Sequence, residues 1–533
     1  QIGQALEELH ANRIEEFAPL IAHHFYGAGD DRSLKYDLMA GEKSARLYAN
    51  AEAATHFRRA LEVAKRIKGD ANQIKHIFNQ LGQVLELAGR YEQALSVYDD
   101  MHAFGSERGD RSAEMSALMA KATIYSIFSQ LHNPDLSAGL LLDALEISRE
   151  LGDRAAQTKL SWNLMLNNLF SKRFDKALKH GETALTLARD LGDPEQLAFV
   201  LNDLCRLYTC LGRYDDAYVV IKEARGLWIE QNNHVMLADS LGSEAEAAYN
   251  AGEFVRAFEN CQQALQISEK VKNIWGQSYD CMLMTFILLQ EGQLGKAIPL
   301  GERSVQQADE AGLIASSITL RSELGWIHAF CGTFDEAYRM VAHAIRFAES
   351  TQPAWRVFPQ AAKVRIHLLH GDIESAQREA GEAPLQPISI PYARFTIFII
   401  LANIELAYAG GDYATALSMI DELLKEVEPL TRLDVPDVLR MKGLALIELD
   451  RYDEALQVLT EACARAAGIG ANLQLWLSYS DLADLHEKLG NHQEAGSKRN
   501  EARKIIGQIA ESLLEIGLRD SFLDQPRVKE LMG

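Results

Sequence analysis

The chain has 533 residues, 47% of them hydrophobic and 24% charged, with a formal net charge of −21 at pH 7. An acidic excess of this size opposes binding to DNA, RNA or anionic lipid, because affinity for phosphate rests on clusters of Lys and Arg. No apolar run approaches the roughly 18–20 residues of a membrane-spanning helix, and no signal peptide is evident, so nucleic acid and membrane are not expected partners and the cytoplasm is the expected compartment.

The first residues carry no initiator Met and open inside an apparent helix at Gln1, as expected for a piece of a longer protein. Three amphipathic helices follow, predicted over Arg13–Gly27, Arg32–Tyr48 and Ala51–Ile67; Ala53, Phe57 and Ala60 give the third the look of a repeat helix. Between Arg90 and Ala495 one phrase recurs eleven times: a turn residue, an aromatic or apolar residue, then an alanine three further on. Clear copies are Gly89-Arg90-Tyr91 with Ala94, Gly212-Arg213-Tyr214 with Ala217, and Asp450-Arg451-Tyr452 with Ala455. The alanines fall at 94, 138, 177, 217, 257, 297, 337, 376, 416, 455 and 495, a spacing of 39 or 40 in nine of ten intervals. A period held that tightly marks a solenoid, in which each unit packs on its neighbours.

One copy shows how the helix pair arises. Asp193-Pro194 supplies an N-cap residue and a proline at the first helical position. Leu197, Leu201, Leu204 and Tyr208 then form one buried stripe at helical spacing. Gly212 provides the permissive backbone of a tight turn, and Tyr214, Ala217, Ile221, Ala224 and Trp228 line one face of the second helix. A small residue recurs on the first helix, as Cys205, Gly82, Ala245, Gly325, Gly443 and Ala483. Between Gln352 and Tyr392 lie Pro353, Pro359, Pro384, Pro387 and Pro391, which belong at helix ends or in loops; the superhelix is expected to bend there, with Ala383–Tyr392 replacing part of a connection. After Ala502 a long helix is expected to about Gly517, then a short proline-started segment at Pro526.

Catalytic chemistry is not expected. Gly295-Lys296 lacks the upstream glycine and following hydroxyl of a phosphate loop, and there is no H-E-x-x-H, G-x-G-x-x-G or G-x-S-x-G. His23 and His24 are adjacent, so they point about 100° apart on a helix and are poorly placed to share a metal. The six cysteines (205, 210, 261, 281, 331 and 463) show no C-x-x-C spacing and read as small buried hydrophobes. No cofactor or metal is called for.

The Leu201, Leu204, Cys205, Tyr208, Ala217, Ile221, Ala224 pattern resembles the tetratricopeptide repeat (TPR). Each copy exceeds that family's usual period of about 34 by five or six residues, which we ascribe to longer helices rather than longer loops. The resemblance implies an all-α fold: a right-handed α-solenoid superhelix of about 11–12 helix pairs over 68–507, with an N-terminal junction at 1–67 and a C-terminal cap at 508–533. It also implies that the first helix of each pair lines a concave groove. The groove positions are then Trp162, Leu166, Asn202, Arg206, Glu246, Tyr249, Asn250, Tyr279, Phe286, Trp326, Phe330, Arg365 and Glu405. Rigid aromatics mixed with a few polar groups suit a recognition surface.

Ala11-Asn12-Arg13-Ile14-Glu15-Glu16-Phe17-Ala18-Pro19-Leu20-Ile21-Ala22-His23-His24-Phe25, with Gly29-Asp30-Asp31 and Ala40–Ala45, resembles the junction between nucleotide-binding module and repeats in bacterial STAND signalling ATPases. Leu518-Arg519, Phe522-Leu523 and Pro526-Arg527-Val528 resemble the C-terminal ends of such chains. This second resemblance implies a ligand-sensing, autoinhibitory domain that touches an upstream NTPase module and binds a peptide, protein or small ligand. A stand-alone scaffold for protein partners and a quorum-peptide receptor are the alternatives.

Overall fold

The computed structural model describes residues 1–47, 49–127, 131–382, 385–387 and 393–533. Among the described residues there are 28 α-helices and two short 3-10 helices, with no strand. In chain order the helices are α1 (Ile2–Leu9), α2 (Ile14–Gly27), α3 (Ser33–Arg46), α4 (Asn50–Arg66), α5 (Ala71–Leu87), α6 (Tyr91–Arg108), α7 (Arg111–Ser126), α8 (Pro134–Glu150), α9 (Arg154–Phe170) and α10 (Phe174–Leu191). Then come α11 (Pro194–Cys210), α12 (Tyr214–Glu230), α13 (His234–Asn250), α14 (Phe254–Lys270), α15 (Ile274–Gln290), α16 (Leu294–Ala311), α17 (Ile314–Phe330), α18 (Phe334–Thr351), α19 (Val357–Leu369) and α20 (Ile373–Glu382). The last are α21 (Ala393–Ala409), α22 (Tyr413–Val427), α23 (Val435–Glu448), α24 (Tyr452–Ile469), α25 (Asn472–Lys488), α26 (His492–Ser512), α27 (Arg519–Leu523) and α28 (Pro526–Met532). The protein is an all-α solenoid of TPR-like helix pairs. Most repeat helices run 17 or 18 residues with three-residue connections, so the extra length of each copy lies in the helices.

Local chemistry starts and stops these helices in a regular way. Asp70, Asp110, Asn133, Asp193, Asn233 and Asn273 each accept a hydrogen bond at the N-cap from a backbone N–H in the first turn, satisfying one of the orphan donors there. The turn within a pair needs a left-handed residue; Gly212 (φ 68°) and Gly252 (φ 77°) supply it without steric cost. The anchor alanine is the fourth residue of the second helix and is fully buried in every copy but one. The exception corrects the sequence reading. In α8, which begins at Pro134, the fourth residue is Ser137; it is fully buried and its Oγ donates to the Ala122 carbonyl at 2.9 Å, whereas Ala138 is only half-buried. The small positions on first helices are explained by what faces them. A Cβ on Gly82, Gly325 or Gly443 would fall closer than 3.0 Å to the side chains of Tyr98, Val341 and Leu459 respectively.

The chain divides into two compact units, residues 1–168 with 175–191 and residues 169–174 with 192–533. In the first unit each helix packs on its sequence neighbours. Its core joins Phe57, Ile77, Phe78 and Leu81 with Tyr98 and Phe104, and the buried Asp37 carboxylate meets His56 Nδ1 at 2.8 Å. The first three predicted helices appear as α2, α3 and α4 within two residues of their expected ends; Tyr48 lies outside the described residues.

The second unit departs from neighbour-only packing. The turn between α11 and α12 meets the loop between α22 and α23, where Tyr214 Oη donates to the Leu430 carbonyl at 2.9 Å, 216 residues away. The Arg432 amide donates to the Asn250 carbonyl at 3.1 Å, and Asn472 Nδ2 donates to the Glu291 carbonyl at 3.1 Å. At the start of α16 the Gly295 amide donates to Ser512 Oγ at 3.3 Å, 217 residues away. One continuous core therefore joins Tyr249, Phe286, Leu324 and Phe330 to Leu446, Trp476, Ile506, Leu513 and Phe522. In the proline zone, Pro353 opens a 3-10 turn and Pro359 sits in the first turn of α19, where its missing N–H costs little; Pro384 and Pro391 lie outside the described residues, as does most of Ala383–Tyr392. The helix expected to run to about Gly517 ends at Ser512, and the next residue, Leu513, is fully buried in the core.

Candidate functional site

Eleven residues before the anchor alanine, six successive repeats of the second unit turn one side chain inward: Arg206, Glu246, Phe286, Trp326, Arg365 and Glu405. In the wall of α11, α13 and α15 these groups are already engaged. Asn202 is buried, with its Nδ2 donating to Asp239 at 2.7 Å and its Oδ1 accepting from Ser240 Oγ at 2.6 Å. Arg206 pairs with Asp203 at 3.0 Å. Glu246 accepts from Tyr279 Oη at 2.9 Å, and burial pushes its carboxyl above the usual range against the pull of Arg206. Tyr279 in turn stacks on Trp275, the rings 5.7 Å apart. Asn250 Nδ2 donates to the Glu246 carbonyl at 2.9 Å, while its own carbonyl takes the Arg432 and Tyr214 bonds.

Arg394, at the start of α21, covers Tyr249 and Phe286. Its guanidinium lies 4.5 Å from the centroid of the Phe286 ring, donates to Tyr249 Oη at 3.0 Å, and pairs with Glu323 and, at 3.8 Å, with Asp434. One guanidinium thus serves two buried carboxylates. Burial raises both acids, Asp434 to about 6, with Arg394 pulling the other way.

A cavity of about 350 Å³ opens beyond this cluster, walled by α17, α19, α21, α23, α25 and α28. Four of the expected groove residues line it: Trp326, Phe330, Arg365 and Glu405. Arg365 is nearly fully buried, held bidentate by Glu405 at 2.8 and 2.7 Å and sandwiched between the rings of Trp326 (4.7 Å) and Phe398 (4.9 Å). Fork-to-fork geometry of this kind is strong and fixes the guanidinium plane. Met441, Leu444, Leu473 and Leu477 give an apolar wall, and Tyr408 places a phenol at its edge. A second charged chain closes the far side: Arg440 reaches Asp437 at 3.2 Å and the buried Asp481 at 3.0 Å, and Arg527 joins Asp481 and Ser480 from α28. The Phe330 ring packs at a tilt against Trp476 and Phe522, each centroid 6.0 Å away.

The thirteen expected groove residues therefore fall into three places. Trp162 and Leu166 are half-buried on α9 in the first unit. Asn202, Arg206, Glu246, Asn250 and Tyr279 form the polar wall of α11, α13 and α15, Tyr249 and Phe286 lie under Arg394, and Trp326, Phe330, Arg365 and Glu405 line the cavity. Sequence reasoning passed over Arg394, Tyr408, Asp437, Arg440, Asp481 and Arg527. Arg440 was within reach, since it stands 15 residues before Ala455 as Asn202 does before Ala217. Arg394 and Arg527 carry no repeat signal, because they enter the site from elements far along the chain.

A model of the MalT-like TPR region matches residues 166–495. The chain belongs to the MalT-like TPR family. As a MalT-like TPR array it is a repeat domain of the protein-interaction type. Similar solved structures include BtubC from P. vanneervenii (21% identity over 42% of this chain and 90% of that one, TM-score 0.35). A chain of the APC/C hetero-tetramer Cut9-Hcn1 is 14% identical over 94% of this chain and 95% of that one, TM-score 0.49. Aspartyl phosphate phosphatase F from Bacillus subtilis is 12% identical over 89% and 94%, TM-score 0.39. No curated protein matches the chain.

Proposed function

We propose that this MalT-like TPR array is the ligand-sensing and autoinhibitory domain of a STAND-type NTPase regulator, and that its ligand binds in the cavity lined by Trp326 and Arg365. The observation that carries this reading is the cavity itself: about 350 Å³, with an aromatic and aliphatic wall and two converging arginine–carboxylate chains. That volume lies within the usual range for small-molecule sites, as does the mix of apolar lining and a few placed polar groups. The ligand is a small molecule, or one or two side chains of a peptide, with an apolar body for Trp326 and Leu477 and polar groups for Arg365 and Tyr408. Because the walls come from helices distributed from α17 to α28, an occupant contacts many repeats at once. A ligand shifts a switch only by its difference in affinity between two states, and a site assembled from distant repeats offers such a difference.

The test is mass spectrometry of the purified protein for a co-purified compound, followed by calorimetric titration of that compound or of a peptide and metabolite panel. Binding should be saturable and fall at least tenfold in Trp326→Ala, and Leu477→Trp, which fills the cavity, should abolish it. In the parent chain with its NTPase module the same compound should speed nucleotide exchange. Binding that both variants leave intact removes the cavity as the site, and a ligand without effect on exchange removes the sensor role.

A further inference from the structure

The turn glycines divide into two classes that differ only in what lies outside them. At Gly89, Gly109, Gly152, Gly371, Gly411 and Gly490 a Cβ would meet nothing within 4 Å. At Gly212, Gly252 and Gly332 it would fall closer than 3.0 Å to the Pro429 carbonyl oxygen, the Ile469 side chain, and Gln525 with the Ser521 carbonyl, respectively. Gly292 sits 3.1 Å from Ile509 by the same measure, and Gly295, inside α16, meets the Ser512 carbonyl below 3.0 Å. Four consecutive turns, α11–α12 to α17–α18, thus press against the α22–α23 loop, the α24–α25 loop, the end of α26 and the α27–α28 corner.

We infer that this seam is a releasable latch: the second unit has an open state in which its helix pairs persist while the four turns separate from the loops and C-terminal helices that cover them. Three observations support it. Helix pairs with open turns, such as α5–α6, are complete without any such cover, so a pair does not require the seam. The rim of the seam is built from turn backbone, a few single side chains (Ile469, Ile509, Gln525) and isolated hydrogen bonds (Tyr214 to Leu430, Arg432 to Asn250, Asn472 to Glu291, Gly295 to Ser512). Behind the rim, Arg394 ties α21 to α13 and α17 through polar contacts to Tyr249, Glu323 and Asp434, groups that water can solvate once the seam opens. Opening would uncover Tyr249 and Phe286 and part the Phe330 side of the cavity from Trp476 and Phe522. The latch itself does not depend on the cavity being a ligand site, and its test uses no ligand.

Hydrogen exchange by mass spectrometry, small-angle X-ray scattering and far-UV circular dichroism on the whole chain decide the matter. Gly295 is helical, so Gly295→Ala favours the helix and harms only the seam. It should accelerate exchange around 429–434 and 509–525 at least tenfold and enlarge the radius of gyration with helix content unchanged. Gly252→Ala should do the same and Gly411→Ala should not, although both glycines have nearly the same backbone (φ 77° and 81°) and carry the same left-handed strain. Asn472→Ala, which removes one rim bond, gives a milder acceleration and serves if the glycine variants do not fold. The latch is overturned if Gly252→Ala, Gly295→Ala and Asn472→Ala exchange at the seam no faster than Gly411→Ala. It is equally overturned if faster exchange comes only with loss of helix.

Discussion

The two units are made of the same helix pairs, yet their turns meet different surroundings. Around α5 to α8 the turn glycines face open space, and each pair is held by the pair before and the pair after it. From α11 to α18 the four turns within pairs are instead covered by chain that lies some 180 to 217 residues further along. What this difference teaches is that a solenoid's one-dimensional core depends on whether the chain returns to cover it. Where it does, the inward strip stops being an empty groove and becomes a wall with a defined cavity.

The largest effect should come from aromatic truncation, read for its reach. Phe330→Ala and Phe78→Ala each remove a buried ring and should each cost about 3–5 kcal/mol. Hydrogen exchange should then rise in α25 and α27 as well as α17 for Phe330, whose ring meets Trp476 and Phe522, but only in α4 to α7 for Phe78, whose ring meets Phe104. Equal reach in the two variants would break the comparison. Overpacking comes next. Ala217 is fully buried where α11 and α12 approach closely, and Ala217→Leu should cost about 1–3 kcal/mol by chemical denaturation.

The buried acids sharpen the contrast through pH. In the first unit Asp37 has His56 beside it. In the second, Asp280 is 3% exposed, its hydrogen bond comes from Ser268 Oγ at 3.4 Å, and burial pushes it up to about 8. A carboxyl whose folded pKa lies above its unfolded value binds its proton more tightly when folded. Its stabilising contribution is therefore full below the ordinary Asp range of about 4, declines as pH rises, and is gone above about 8. Asp280→Asn stays neutral, so its melting temperature should exceed that of the parent clearly on the alkaline side of 8 and little at about pH 5, and a pH-independent difference would contradict the assignment. The smallest effect should be shared by both units. Asp110→Ala and Asn233→Ala each remove an N-cap acceptor and should cost about 1 kcal/mol, with exchange rising only in the first turn of α7 or α13.

The repeat period was a dependable guide wherever the cause was local. It located the turns and the small positions, and it failed by one residue only at Ser137, where the copy has Asn133-Pro134 in place of a glycine turn and the anchor follows the helix start rather than the alanine. A quarter of the cavity lining was also legible, because Trp326, Phe330, Arg365 and Glu405 stand at positions that the period marks. Arg394, Arg527 and Trp476 escaped, since their role depends on which distant segment they meet.

By itself the amino-acid sequence determined the helix pairs, their caps and turns, and the small positions between paired helices, because those follow from contacts within about forty residues and from backbone chemistry at single positions. The tertiary structure alone decided that the second unit closes on itself, that Arg394 covers Tyr249 and Phe286, and that Arg365 and Arg440 share one cavity with Arg527. The physical reason is geometric: a small rotation at each of many helix pairs accumulates along the solenoid, and the segments it finally brings together carry no common local signal.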